Sequence, residues 1–281
     1  MRSAYTPAGG VNMKDANARK LGLGVTVLVA LVAVGVGPRL LTRHQAVAAP
    51  ANAKGIAPDA DRLLHQMTDY LAGLKTFTVH TSASDEVVLK SGQKLQLMSE
   101  SVVTVQRPNM LRSEQVGAKG GLAFFYDGKT MTLECKDSGV YTTVAAPPTL
   151  DATIDKAREE FQIEAPGADL LYSKPYDILT EQVKGGQLVG REVIDGMPVH
   201  HLAFQGDEVD WQVWIKDGPE PLPLRYSITT KTMPSQPEFS VRLSQWDTRA
   251  SILPTAFQFQ APTGATRAQT FPKTCGAGTS H

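Results

Sequence analysis

The chain has 281 residues with 28 basic and 28 acidic side chains, 42% hydrophobic residues and 7% aromatics, the balance of an ordinary globular protein rather than a disordered one. The charge is unevenly placed: six basic residues and one acidic residue precede position 49, so the body carries 22 against 27. A mildly acidic body argues against DNA, RNA or an anionic membrane surface as its main partner.

The basic head, with Arg2, Lys14, Arg19 and Lys20, leads into "LGLGVTVLVALVAVGVG" at 21–37, an uncharged apolar run, and "AVAAP" at 46–50 offers the small residues that a signal peptidase accepts. Residues 1–48 therefore read as an export signal. Arg39 and Arg43 follow the apolar run and leave two fates open: cleavage near Ala48, or retention of 21–37 as an N-terminal membrane anchor. Cations outnumber those after the run and keep the N-terminus cytoplasmic, so the body lies outside the cytoplasm in either case.

After a leader at 49–57, "PDADRLLHQMTDYLAGLK" places Leu63, Leu64, Met67, Tyr70, Leu71 and Leu74 at steps of three and four, an amphipathic helix with Pro58 and Asp59 in its first turn. His65 lies off that stripe and reads as a solvated side chain. From residue 76 the period becomes two. Phe77, Val79, Ala83, Val87 and Leu89, then Leu95, Leu97, Val103 and Val105, form a long antiparallel hairpin through Ser91 and Gly92. Shorter strands follow at "NMLRSEQV", "GLAFFYDGKTMTLEC" and "GVYTTV", with a tight turn at Asp127 and Gly128. "PPTLDATIDKAREEFQI" then sets Leu150, Ile154, Ala157 and Phe161 on one helical face, with Thr149 as N-cap. Flanked by Pro147, Pro148 and Pro166, this helix reads as a lid.

A short helix is expected around "KPYDILTEQV". Strands resume at "QLVGREVID", turn at Asp195 and Gly196, and continue through "MPVHHLAFQG", "VDWQVWIKD", "LPLRYSITTK" and "PEFSVRLSQWD". Residues 268–281 read as a loose tail. About ten strands with no βαβ alternation predict a mainly β, α+β fold: one wide antiparallel sheet that must curl or split, with helices on one side. Cys135 and Cys275 either pair in an oxidising compartment or stand as one buried thiol and one tail thiol.

The order of "VQRPNMLR", "FYDGKTMTLE", the helical insert, "VIDGMPVHHLAF" and "FQFQAPTGA" resembles the LolA/LolB-type lipoprotein carriers of the bacterial periplasm. Over about 57–267 the chain is still more similar to an uncharacterised family of predicted periplasmic proteins of that superfamily, most clearly in "DWQVWIKDGPEPLPLRYSITTKTMPSQPEF". The resemblance implies an incomplete β-barrel whose helices cap an apolar cavity, and a lipid or lipid-modified protein as cargo. It does not carry over lipoprotein transport itself, because fold does not fix function. No residue here aligns with the carriers' arginine at the cavity mouth, and Arg112 reads as a solvated strand charge.

The candidate cavity wall follows from alternation: Phe77 and Val79; Trp211, Val213 and Ile215; Leu224, Tyr226 and Ile228; Phe239, Val241 and Leu243; and Ile154 from the lid. Core packing against the helices explains the same pattern without a ligand. A methylene contributes about 0.8 kcal/mol on burial, so an acyl chain binds such a wall without any polar site. Alternation puts Trp214 and Trp246 on the polar face, where they stack on each other or on Arg242, or form a docking patch for an envelope partner.

His200 and His201 face opposite ways and cannot share a metal. Asp207, Glu208 and Asp210 read as a solvated turn. There is no GxSxG, HExxH or phosphate-binding loop, and no metal, cofactor or catalysis is expected. The alternative to a carrier is an interaction or sensory protein of the envelope, with the same fold and a filled interior.

Overall fold

The computed structural model describes residues 54–270, apart from 119, 160–162 and 164, together with Cys275. The export segment, Phe161 and most of the tail lie outside the described residues.

The first helix, α1 (Pro58–Gly73), starts with Pro58 in its first turn and buries Leu63, Leu64, Met67 and Leu71. Twelve strands follow among the described residues, in one sheet. The first half contains β1 (Thr76–Val88), β2 (Lys94–Gln106), β3 (Met110–Gly117), β4 (Leu122–Tyr126), β5 (Thr130–Cys135) and β6 (Val140–Ala145). Helices α2 (Leu150–Glu159) and α3 (Pro175–Thr180), with a 3-10 turn at Ala168–Leu171 between them, separate it from β7 (Val183–Ile194), β8 (Met197–Gly206), β9 (Val209–Lys216), β10 (Pro223–Thr230) and β11 (Glu238–Asp247). A short β12 (Thr266–Arg267) ends the order. Strand order is β12-β6-β5-β4-β3-β2-β1-β11-β10-β9-β8-β7, so the two halves meet where β1 pairs with β11, and β12 and β7 stand at opposite edges. The sheet is open, and antiparallel except where β12 runs parallel to β6.

Local sequence explains the turns. Asp195 (φ 52°) and Gly196 (φ 77°) both have positive φ, the two-residue connection whose twist suits a hairpin. Asp127 Oδ1 accepts hydrogen bonds from the amides of Lys129 (2.9 Å) and Thr130 (2.8 Å), closing the β4–β5 turn. Thr149 caps α2, its Oγ1 accepting from the Ala152 amide at 3.3 Å. A disulfide joins Cys135 of β5 to Cys275, and Thr142 Oγ1 donates to the Thr270 carbonyl at 2.8 Å, so the first tail residues lie against β6.

The helices and one face of the sheet bury the main core, and that face is called the covered face below. Residues Ile56, Leu64, Met67 and Leu71 meet Phe77, Leu202, Phe204, Trp211 and Tyr226 there. His65 is exposed but not simply solvated: its ring stacks on Tyr176 of α3 with centroids 3.6 Å apart.

Candidate functional site

The covered face is assembled from cross-strand neighbours. Trp211, Val213 and Ile215 of β9 stand opposite Phe204, Leu202 and His200 of β8, and opposite Ile228, Tyr226 and Pro223 of β10. Phe77 and Val79 of β1 and Val241 and Leu243 of β11 extend the wall, and Ile154 of α2 packs on it. These nine sequence-selected residues (Phe77, Val79, Ile154, Trp211, Val213, Ile215, Tyr226, Val241 and Leu243) fall in one cluster, none more than 7% exposed. Ile228 and Phe239 are half-buried at its margin. The same face then runs out along the β1–β2 hairpin, where Val87 pairs with Leu95 and Leu97 lies two positions on. Leu95 is 37% exposed, so the apolar wall is longer than the core that the helices seal.

Leu224 does not belong to this wall. Between Pro223 and Arg225 the register shifts by one against β9, since Pro223 pairs with Ile215 and Arg225 with Trp214. The extra residue is Leu224, which packs instead with Val199 and Trp214 on the other side. Strict alternation from Tyr226 and Ile228 misplaced it for that reason.

Helix α2 lies over the wall with an apolar underside and a polar top. Leu150, Ile154 and Ala157 are buried, while Arg158 Nη1 donates to Asp169 Oδ1 at 2.9 Å and Tyr172 Oη to Asp155 Oδ1 at 2.6 Å. Burial works against the Arg158 charge, but Asp169 and Tyr172 together raise its pKa above the ordinary value. Asp151 accepts from the Ser173 amide at 2.9 Å. Thus α2 and the 165–173 segment are tied to each other by polar bonds and rest on the sheet through apolar side chains, with Lys156 Nζ also donating to the Ala145 carbonyl at the end of β6 (3.0 Å). Arg107 reaches up from the end of β2, its Nη1 donating to the Leu171 carbonyl at 2.7 Å. Burial pushes the Tyr172 and Tyr226 hydroxyls up; the Tyr172–Asp155 bond adds to the first and the charge of Asp169 to the second.

The other face holds the first unexpected indole. Trp214 is 8% exposed: its ring stacks on His201 with centroids 4.1 Å apart, Arg225 lies over it at 5.0 Å, and its Nε1 donates to Glu192 Oε2 at 2.8 Å. Its cover is therefore His201 and Arg225, and the ring itself is not exposed. The indole N–H, with His201 beside it, holds the Glu192 carboxyl below the usual range. Trp246 escapes the polar face by a second bulge. Thr78 pairs with Asp247 and His80 with Ser244, so one β1 residue faces two of β11, with Gln245 at φ 50°. Trp246 thus turns back to Phe77, and its Nε1 donates to the Pro223 carbonyl at 3.2 Å.

Arg112 is more engaged than a solvated charge: it pairs with Glu114, lies 5.2 Å from the Phe125 ring and donates to the Ala256 carbonyl at 3.2 Å. Two surface hollows, of about 370 and 520 Å³, lie apart from the covered-face wall. The first lies on the uncovered face beside Arg225, Arg242 and the 193–195 turn, the second beside Arg112, Glu114 and the 262–265 segment. Asp207 and Asp210 form ion pairs with Lys184 and Lys231. His200 and His201 sit on opposite faces, and no group of His, Cys, Asp and Glu among the described residues is arranged to hold a metal ion. No helix among the described residues is long and apolar enough to cross a membrane.

Fold and site together define an open-sheet protein with a helix-covered apolar wall. The chain belongs to the family of predicted periplasmic proteins DUF2092, whose model matches residues 60–270, and it is accordingly periplasmic. No curated protein matches it. Among solved structures it is similar to LprF from Mycobacterium bovis (18% identity, 70% of this chain and 97% of that one, TM-score 0.43). It is also similar to an uncharacterized conserved protein from Thermus thermophilus (12%, 75% and 98%, 0.45). A third is a LolA superfamily protein from Nitrosomonas europaea (12%, 71% and 97%, 0.32).

Proposed function

We propose that this protein binds a hydrophobic ligand, a lipid or the acyl part of a lipidated protein, between the covered face and the α2 lid. The observation that carries this reading is the run of apolar residues from the sealed core to the half-exposed Ile228, Phe239, Val87 and Leu95, a wall longer than the helices cover. An acyl chain laid along it gains about 0.8 kcal/mol for each methylene buried, enough for affinity without a polar site. The underside of the lid suits a hydrocarbon, because Leu150, Ile154 and Ala157 are buried beneath it while Arg158 and Asp151 bond to the 165–173 segment.

The second reading, an envelope interaction or sensory protein with a filled interior, is favoured by one observation: the nine residues chosen as cavity wall are packed against the helices. Both readings are non-catalytic. Extraction and native mass spectrometry of the purified periplasmic protein separate them. A co-purifying amphiphile, together with uptake of a fluorescent acyl probe that Phe239→Ser weakens, supports the first. Absence of both sinks it and leaves the second.

A further inference from the structure

Two aromatic side chains in the sealed core of the wall carry a hydrogen-bonding group that has no partner. Tyr226 Oη and Trp211 Nε1 are withdrawn from water without an acceptor, on residues that are 0% and 1% exposed. They belong to adjacent strands, with ring centroids 5.8 Å apart. Phenylalanine in place of Tyr226 would fill similar space without leaving a polar atom unbonded, and an unmet buried donor is costly. The polar atoms of the lid are already used, Arg158 by Asp169 and Tyr172 by Asp155, and do not serve these two.

The surroundings select the kind of acceptor. The cation of the lid, Arg158, is already committed to Asp169 (2.9 Å) and to the Ala165 carbonyl (3.1 Å). A buried carboxylate would have to give up its hydration for two neutral donors alone, whereas an uncharged carbonyl oxygen loses far less. The 167–171 turn adjoins this point: Gly167, in the left-handed region at φ 83°, lies next to the Tyr226 ring.

We infer that the occupant of the wall is an acyl ester or amide rather than a free fatty acid, and that its uncharged carbonyl oxygen accepts from Tyr226 Oη and Trp211 Nε1. This rests on the ligand-binding reading above and adds a chemical selectivity to it. Hydrocarbon burial supplies affinity, and the two donors choose among chains of equal length.

The test uses the purified periplasmic protein stripped of lipid, with displacement of an apolar fluorescent dye by monoolein, oleate and 1-octadecene. The ester should bind about five- to tenfold more tightly than the alkene and the carboxylate. Tyr226→Phe and Trp211→Phe should each remove about fivefold of that preference, taken as the ratio of ester to alkene affinity within each variant so that any change in apolar packing cancels. Equal binding of the three probes, or variants that keep the ester preference, overturns the inference and leaves ligand binding intact. Failure of every probe to displace the dye sinks the ligand-binding reading and the inference with it. Thermal unfolding of stripped Tyr226→Phe gives an independent check, expected at or above the wild-type midpoint. A lower midpoint with unchanged ester preference assigns the hydroxyl to a buried water and also overturns the inference.

Discussion

The indole of Trp246 lies 5.5 Å from the ring of Phe77, on the side of β11 opposite to where strict alternation puts it. One residue makes the difference. Gln245 adopts φ 50° and absorbs the extra position, so an indole that would stand among Ser240, Arg242 and Ser244 is packed inward. Gln245→Gly should be neutral or stabilising, whereas Gln245→Val should cost about 1–2 kcal/mol, because a β-branched residue resists positive φ. Trp246→Ala should cost about 3 kcal/mol. Urea denaturation of the three variants checks this, and equal stability of the Gly and Val forms would refute the bulge argument.

On the uncovered face, Glu192 holds Trp214 and His201 in place. Its folded pKa lies below its ordinary value of 4.5. The bond therefore adds stability above the unfolded pKa and loses it as pH falls through the folded one. Glu192 is well exposed, so the effect is small: Glu192→Gln should lower the melting temperature by about 1–2 °C at pH 7 and leave it unchanged at pH 2. Melting curves across that range decide the point, and a pH-independent difference would show that packing rather than charge is lost.

Helix α2, the proposed lid, is held to the 165–173 segment by the Arg158–Asp169 pair, in which the Asp169 side chain is only 7% exposed. Asp169→Asn removes the partner of a largely buried guanidinium and should cost about 3 kcal/mol, or roughly 6–12 °C in melting temperature. Amide exchange should rise first in α2 and the 165–173 segment. Uniform exchange across the sheet would mean that the lid does not open as a unit.

The Cys135–Cys275 disulfide closes a loop of 140 residues in sequence separation. Replacing Cys275 with Ser should lower stability by about 2–4 kcal/mol, mainly through the greater freedom of the unfolded chain. It should also expose the bond after Arg267, which otherwise lies in β12 beside β6. Limited trypsin digestion of oxidised protein and of the variant, followed by intact mass, tests this; identical cleavage would show that β12 holds the tail unaided.

Much of this molecule follows from period alone. The step of three and four in α1 and the step of two in β1, β2, β9 and β11 placed Leu64, Phe77, Val79, Trp211, Val213 and Val241 toward one interior, because helix and strand geometry fix which side chains share a face. Asp-Gly pairs marked two hairpins, Asp195 and Gly196 both taking positive φ, while at 127–128 only Gly128 does and the Asp127 carboxylate closes the turn. Leu224 and Trp246 were misassigned by the same rule, since a single inserted residue reverses parity and nothing in "LPLRYSI" or "LSQWD" announces it locally.

The sequence by itself determined most of the elements and the apolar character of one face, since these rest on local steric and hydrophobic patterns. Only the tertiary structure decided that Trp214 is sheltered by His201, Arg225 and Glu192, and that Tyr226 and Trp211 each keep an unpartnered polar atom inside the wall. Those relationships join residues from separate strands. Whether a polar atom finds a partner depends on distances across the folded sheet, which no spacing along the chain encodes.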